Sequence, residues 1–136
     1  DPKKPSEKSF VNCMPLHGDT VIIPPNSYAL TSSVEEFHMP PDVMAICLGK
    51  STYARVGISI NCTPLEPGWK GYLTIEVANC TPCPVMVYPG EGIAQLIFFR
   101  GRQPKTTYAD RKGKYQNQPD HPVVARMNST LKKDPT

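Results

Sequence analysis

Glu76 stands inside the run Gly71-Tyr72-Leu73-Thr74-Ile75-Glu76-Val77-Ala78-Asn79. In a strand, successive side chains alternate, so Leu73, Ile75 and Val77 share one face and Tyr72, Thr74, Glu76 and Ala78 the other. A carboxylate flanked by β-branched residues is either solvated on an open face or placed there to act. From this strand alone the solvated reading is the stronger. If the second face is also covered, as in a closed barrel, burial raises the carboxyl pKa toward the range useful for proton transfer, unless a cation offsets it.

A second group is Gly49-Lys50-Ser51-Thr52-Tyr53-Ala54-Arg55. A glycine, a cation, two hydroxyls and a further cation resemble an anion cradle, in which backbone N–H groups at a turn or short helix start face a phosphate. It lacks the longer glycine-flanked loop of a Walker motif. A capped turn with surface charges explains it equally well. Gln95 is a polar side chain in the most apolar segment, Ile93-Ala94-Gln95-Leu96-Ile97-Phe98-Phe99. A buried amide there needs partners, on a ligand or on a neighbouring strand. Residues 108–118 bring Tyr108, Asp110, Arg111, Lys112, Lys114, Tyr115 and Gln118 into a glycine-containing loop. That composition suits a flap closing on a charged ligand, or a simple basic tail.

Other chemistries find less support. His17, His38 and His121 lie in unrelated turn-like contexts, and no histidine has Glu two residues later, so the zinc deaminase signature is absent. Cys13, Cys47, Cys62, Cys80 and Cys83 are an odd number for a disulfide framework. Cys47 sits in an apolar run, where a free thiol behaves as a small hydrophobe. Cys80-Thr81-Pro82-Cys83 has no second CxxC beside it, so it is expected to be a turn with incidental thiols rather than a metal site.

The elements that must position these residues are short strands. Apolar or alternating runs recur at 20–23, 27–30, 43–48, 57–62, 71–79, 85–88 and 93–99, separated by turn residues such as Pro24-Pro25-Asn26 and Pro89-Gly90-Glu91-Gly92. This spacing predicts an all-β sandwich or barrel. Sixteen prolines in 136 residues also disfavour a helical domain. A chain of this length is expected to be one domain over residues 1–136, with 1–8 and 119–136 polar, proline-containing and extended or mobile. Lys and Arg number 15 against 12 Asp and Glu, an excess too small and scattered for a nucleic-acid partner but compatible with a small anionic ligand. No apolar run approaches the roughly 18 residues of a membrane span, so a soluble, cytoplasmic protein is expected.

Several motifs in order resemble the dCTP deaminases, relatives of the dUTPases. They are Lys50-Ser51-Thr52-Tyr53-Ala54-Arg55, Thr63-Pro64-Leu65-Glu66-Pro67-Gly68-Trp69-Lys70-Gly71, Thr74-Ile75-Glu76 and Gly92-Ile93-Ala94-Gln95-Leu96. Tyr108 and the segment from Asp110 to Gln118 match the family's closing segment, so the resemblance runs from about Lys8 to Gln118. It implies a distorted, jelly-roll-like β-barrel of dUTPase type, forming a homotrimer with active sites at subunit interfaces. It implies hydrolysis of dCTP to dUTP and ammonia without zinc, in pyrimidine deoxynucleotide biosynthesis, with magnesium accompanying the triphosphate and dTTP a candidate inhibitor. Glu76 matches the catalytic carboxylate, Arg55 the arginine that keeps it ionised and oriented, and Ser51 a residue that positions the water or phosphates. Substrate contacts carry over to Lys50, Ser51, Thr52, Tyr53, Ala54, Arg55, Thr74, Ile75, Glu76 and Gln95, with Tyr108, Lys114 and Gln118 folding over from the tail. Family members usually carry a further segment ahead of the position of Asp1, with a Ser-x-Gly-Tyr-Asp-x-Arg type motif that has no match here.

Two alternatives stay open. One is a bifunctional enzyme that also splits dUTP; the dUTPases activate water with an Asp where this chain has Glu66, a longer side chain. The other is a non-catalytic nucleotide-binding homologue. Retention of Ser51, Arg55, Glu76 and Gln95 together argues against it.

Overall fold

The computed structural model describes residues 16–17 and 20–126. The N-terminal segment expected to be extended, and residues 127–136, lie outside them. The element order is β1 (Leu16–His17), β2 (Thr20–Ile23), β3 (Tyr28–His38), β4 (Val43–Gly49), α1 (Ser51–Arg55), β5 (Ile58–Asn61), β6 (Lys70–Asn79), β7 (Val85–Val87) and β8 (Ala94–Arg100). The strands expected from the alternating runs are present. The main difference is β3, which continues to His38 rather than ending near Leu30. Its polar stretch Thr31-Ser32-Ser33 alternates no hydrophobics, yet pairing with β6 holds it extended.

Pairing is antiparallel throughout, in three small sheets ordered β1-β2-β7, β3-β6-β5 and β4-β8. They wrap one core, and among the described residues the ladders stay open. Ala45 of β4 and Leu65, in the connection between β5 and β6, form a two-way bridge of 3.0 and 2.9 Å. Leu65 is 2 % exposed and Ala45 fully buried. Ile23, Ile58, Trp69, Ile75 and Val77 belong to the same apolar centre.

β6 is the central strand. Its burial alternates residue by residue, with Gly71, Leu73, Ile75, Val77 and Asn79 inward. Register with β3 shifts between Ser32 and Glu36, where Ser33, Val34 and Glu35 together oppose Leu73. At this bulge the Ser33 hydroxyl accepts the Leu73 N–H at 2.9 Å, so a polar side chain replaces the lost ladder acceptor. At the far end Asn79, 2 % exposed, donates its amide to the carbonyls of Ile23, Pro24 and Cys83 and accepts from Thr81. The Cys80–Cys83 segment is therefore a turn built around an asparagine, with both thiols exposed.

The near end of β6 carries a second constraint. Gly71 adopts φ 140°, and a Cβ there would stand 2.5 Å from the Gln118 nitrogen. Gln118 forms a parallel bridge to Gly71, with Tyr72 N–H donating to Gln118 at 3.0 Å and Asn117 N–H to Lys70 at 2.8 Å. The C-terminal segment thus extends the sheet beyond the end of β5. No described helix is long and apolar enough to cross a membrane.

Gly71→Ala is expected to lower the unfolding free energy by at least about 2 kcal/mol, because both the φ value and the contact with Gln118 resist a Cβ. Urea denaturation measures the loss. Limited proteolysis is expected to cut near residue 118 in the variant before the β-strands are attacked.

Candidate active site

The outward face of β6 forms the floor of a cleft of about 710 Å³. Thr74 and Glu76 rise from the strand, Tyr28 and Leu30 come from β3, and residues 63–66 form one wall. Tyr108, Tyr115, Gln118 and Val123 close the other side. Glu76 is half-buried, and its carboxylate accepts a hydrogen bond from Asn61 Nδ2 at 2.9 Å. Burial raises its pKa above the ordinary carboxylate value, and the Asn61 bond only partly opposes this. The carboxylate is thus partly covered, neither fully solvated nor sealed in the core.

The segment over this cleft is held in place at many points. Thr107 is buried, and its N–H and hydroxyl both donate to Asp110, at 2.8 and 2.7 Å. Those two bonds hold the Asp110 carboxyl below its usual range. The Trp69 indole donates to the Tyr115 carbonyl at 2.8 Å, and Tyr115 N–H donates to the Tyr108 hydroxyl at 3.0 Å. Gln118, 7 % exposed, donates its amide to the Thr74 hydroxyl, which also accepts Val123 N–H at 3.2 Å. The loop composition at 108–118 suggested a flap. In this conformation it is a docked cover, and residues 119–126 continue over it without regular structure. Arg111 pairs with Glu66 and lies 4.9 Å from the centre of the Tyr108 ring.

The other residues singled out in the sequence divide. Thr74, Glu76, Tyr108 and Gln118 meet at the cleft. Lys50, Ser51, Thr52, Ala54 and Arg55 are exposed on and before α1, with Tyr53 turned partly into the core. They line neither this cleft nor the apolar hollow on the opposite face of β6. Lys50 N–H donates to the Ile93 carbonyl at 3.0 Å, and Gly49 pairs with Ala94, so α1 and Gln95 sit at the same end of the β4-β8 sheet. Gln95 is exposed rather than buried, because β8 pairs with β4 alone and its outer face stays open. Ile75 points inward, opposite to Thr74 and Glu76, as strand alternation requires. Lys114 is exposed, with its ammonium 5.2 Å from the Tyr115 ring centre.

Arg55 was expected to keep Glu76 ionised. Among the described residues of this one chain the carboxylate bonds Asn61, and its pKa is raised, the reverse of what an adjacent cation produces. Asn61 escaped the sequence reading because its importance lies in register: it is the cross-strand partner of Glu76. The alternation of residues 57–62 could place Asn61 on an outward face, but nothing in it says which residue lies opposite.

The comparisons with known proteins agree with this architecture. The dCTP deaminase-like family model matches residues 1–101. The dCTP deaminase of Acidobacterium capsulatum is 56 % identical over 119 residues, covering 87 % of this chain and 63 % of that protein. The dCTP deaminase of Campylobacter fetus subsp. fetus is 57 % identical over 119 residues, covering 87 % and 62 %. The chain thus spans a little over three-fifths of the length of these relatives. The EIAV dUTPase aligns in structure with a TM-score of 0.55 at 21 % identity, over 68 % of this chain and 90 % of that one, a likeness of fold alone. With its all-β architecture and more than half its length matched in sequence, the chain belongs to the dCTP deaminase-like family.

Proposed function

We propose that this chain is the nucleotide-binding and catalytic part of a soluble, cytoplasmic dCTP deaminase, with Glu76 as its general base and acid. The observation that carries the proposal is a half-buried carboxylate of raised pKa on the floor of a nucleotide-sized cleft. Glu76 takes a proton from the water attacking C4 of the cytosine and delivers protons to the ring nitrogen and the departing amine. The C4–N4 bond breaks, giving dUTP and ammonia. Thr74 and Gln118 supply polar groups beside the base, and Tyr108 covers it. Ile75 contributes through its backbone, since its side chain faces the core.

The triphosphate falls to Lys50, Ser51 and Thr52, whose side chains make no hydrogen bond within the described residues of this chain. Arg55 and Gln95 belong to the same exposed group, and Lys114 adds a cation from the tail. Because this group lies away from the cleft of its own chain, the complete site takes the cleft of one protomer and the α1 face of another. The outer face of the β4-β8 sheet supports such an assembly. Met44 pairs with Phe99 and Ile46 with Ile97 along that ladder, and all four are 36–47 % exposed. An apolar strip of this kind marks a surface that associates. A homotrimer is the assembly we propose.

Magnesium enters with the substrate. No group of three or more His, Cys, Asp or Glu among the described residues is arranged to hold a metal. Donors around Lys50 are cationic and hydroxylic, which fits a metal carried by phosphate oxygens and water. The Glu66–Arg111 pair favours deamination alone over a second, dUTP-splitting activity, because the carboxylate in the dUTPase-like position is engaged by a guanidinium. A purely nucleotide-binding role leaves the raised carboxyl of Glu76 without a task.

Incubation of the purified protein with dCTP and magnesium is expected to release ammonia and no pyrophosphate. In Glu76→Gln, turnover falls by at least about a hundredfold, the scale of a lost general base. Pyrophosphate in step with ammonia would show the bifunctional enzyme; bound dCTP without turnover would show a binding protein. Light scattering after gel filtration is expected to give three copies, and Ile46→Glu to give a folded monomer without activity.

Glu76 also sets a pH signature for stability. Its folded pKa lies above the unfolded one, so the folded state favours the protonated form. The resulting cost is absent below the unfolded value of about 4.3 and complete above the folded value. Glu76→Gln removes that cost. Its Tm is therefore expected to exceed that of the wild type at pH 7.5, with the gap closing by pH 4.

A further inference from the structure

Asn61 is the last residue of β5 and lies directly opposite Glu76 in the ladder. Its Nδ2 reaches Glu76 Oε2 at 2.9 Å. We infer that Asn61 is the positioning residue of this site, holding one carboxylate oxygen so that the other presents to the cleft. The inference rests on the catalytic reading of Glu76 given above, and it adds a residue which that reading does not contain.

The geometry makes Asn61 suited to this task. A glutamate side chain has three rotatable bonds and, on an open strand face, samples several rotamers. A donor fixed on the neighbouring strand at the paired position removes most of that freedom without occupying the second oxygen. Asparagine is neutral, so it orients the carboxylate while perturbing its proton affinity less than a cation would. A base must hold and release a proton within one turnover, and a neutral donor at one oxygen leaves the other free to do so.

No other side chain bonds this carboxylate among the described residues. On the β5 side Cys62 adjoins it, a neutral thiol whose pKa is pushed up by the Cys47 thiol and by burial. Tyr28 and Leu30 face it from β3, with Met44 from β4 and Thr74 beside it on its own strand. Across the cleft stand Tyr108, Tyr115 and Gln118 from the tail, and Glu66, whose charge is matched by Arg111. Within one protomer, burial raises the Glu76 pKa while the bonds from Asn61 and from its own backbone N–H oppose it, and Asn61 is the one a side-chain substitution can remove.

The test reads the carboxyl directly, on the full chain labelled with carboxyl-13C glutamate. The Glu76 resonance is assigned by its loss in Glu76→Gln, and its titration is followed by NMR in the wild type, Asn61→Ala, Asn61→Asp and Asn61→Gln. We expect the midpoint to rise by about one unit in Asn61→Ala and further in Asn61→Asp, which adds a like charge, and to return toward the wild type in Asn61→Gln, which keeps the amide donor. In the ammonia assay Asn61→Ala lowers kcat about tenfold with little change in KM, and the acid limb of kcat/KM moves upward with the NMR midpoint. A lowered Tm with an unchanged Glu76 midpoint and acid limb would overturn the inference and leave Asn61 a structural residue. The parent reading fails separately: if Glu76→Gln still turns over dCTP, Glu76 is not the base, whatever its midpoint does in the Asn61 variants.

Discussion

A single strand paired along both edges is the constraint on which the structure depends. β6 is held by β3 on one side, and on the other by β5 at its far end and the Gln118 backbone at its near end. Pairing on both sides locks the register, and register in a strand has a period of two. Val77 is fully buried and Ile75 and Leu73 nearly so, while Thr74 and Glu76 face the cleft. A slip of one residue would put the carboxylate into the core and the valine into water. The burial that stabilises the domain and the aim of the candidate catalytic group are therefore one fact.

The same strand explains the electrostatics of the cleft. Strands and tail cover Glu76 enough to raise its pKa, yet among the described residues of one protomer no cation reaches it. An uncompensated carboxylate in a covered position is costly, and the cost is retained where a proton must be exchanged. Lys50 and Arg55, the cations proposed to meet the triphosphate, stand just before and on α1, which packs against β5 while both remain exposed. That separation, together with the apolar outer face of β4 and β8, is what the proposed assembly resolves.

The C-terminal segment shows how a loop without regular structure is anchored. Thr107 and Asp110 close a turn, the Trp69 indole holds Tyr115, and Gln118 adds its backbone to β6 where Gly71 leaves room. None of these contacts is large in energy alone, at about 1 kcal/mol per hydrogen bond. They act together, because each fixes a point the next one uses.

Much of this was legible in the residues themselves. Short apolar runs bounded by turn residues identified β2, β4 and β8, and alternation of hydrophobic and polar side chains identified β6. The same alternation put Glu76 and Thr74 on one face and Ile75 on the other, and ordered motifs pointed to the family. Tertiary structure alone decided what alternation leaves open: whether the second face of β6 is covered, which residue opposes Glu76, and where β3 bulges at Ser33. It also decided that Gln95 is exposed and that α1 stands apart from the cleft. These depend on contacts between residues far apart in sequence, Asn61 with Glu76 and Gln118 with Gly71 among them. Local periodicity carries no record of such pairings, because it reports which way a side chain points and not what lies in front of it.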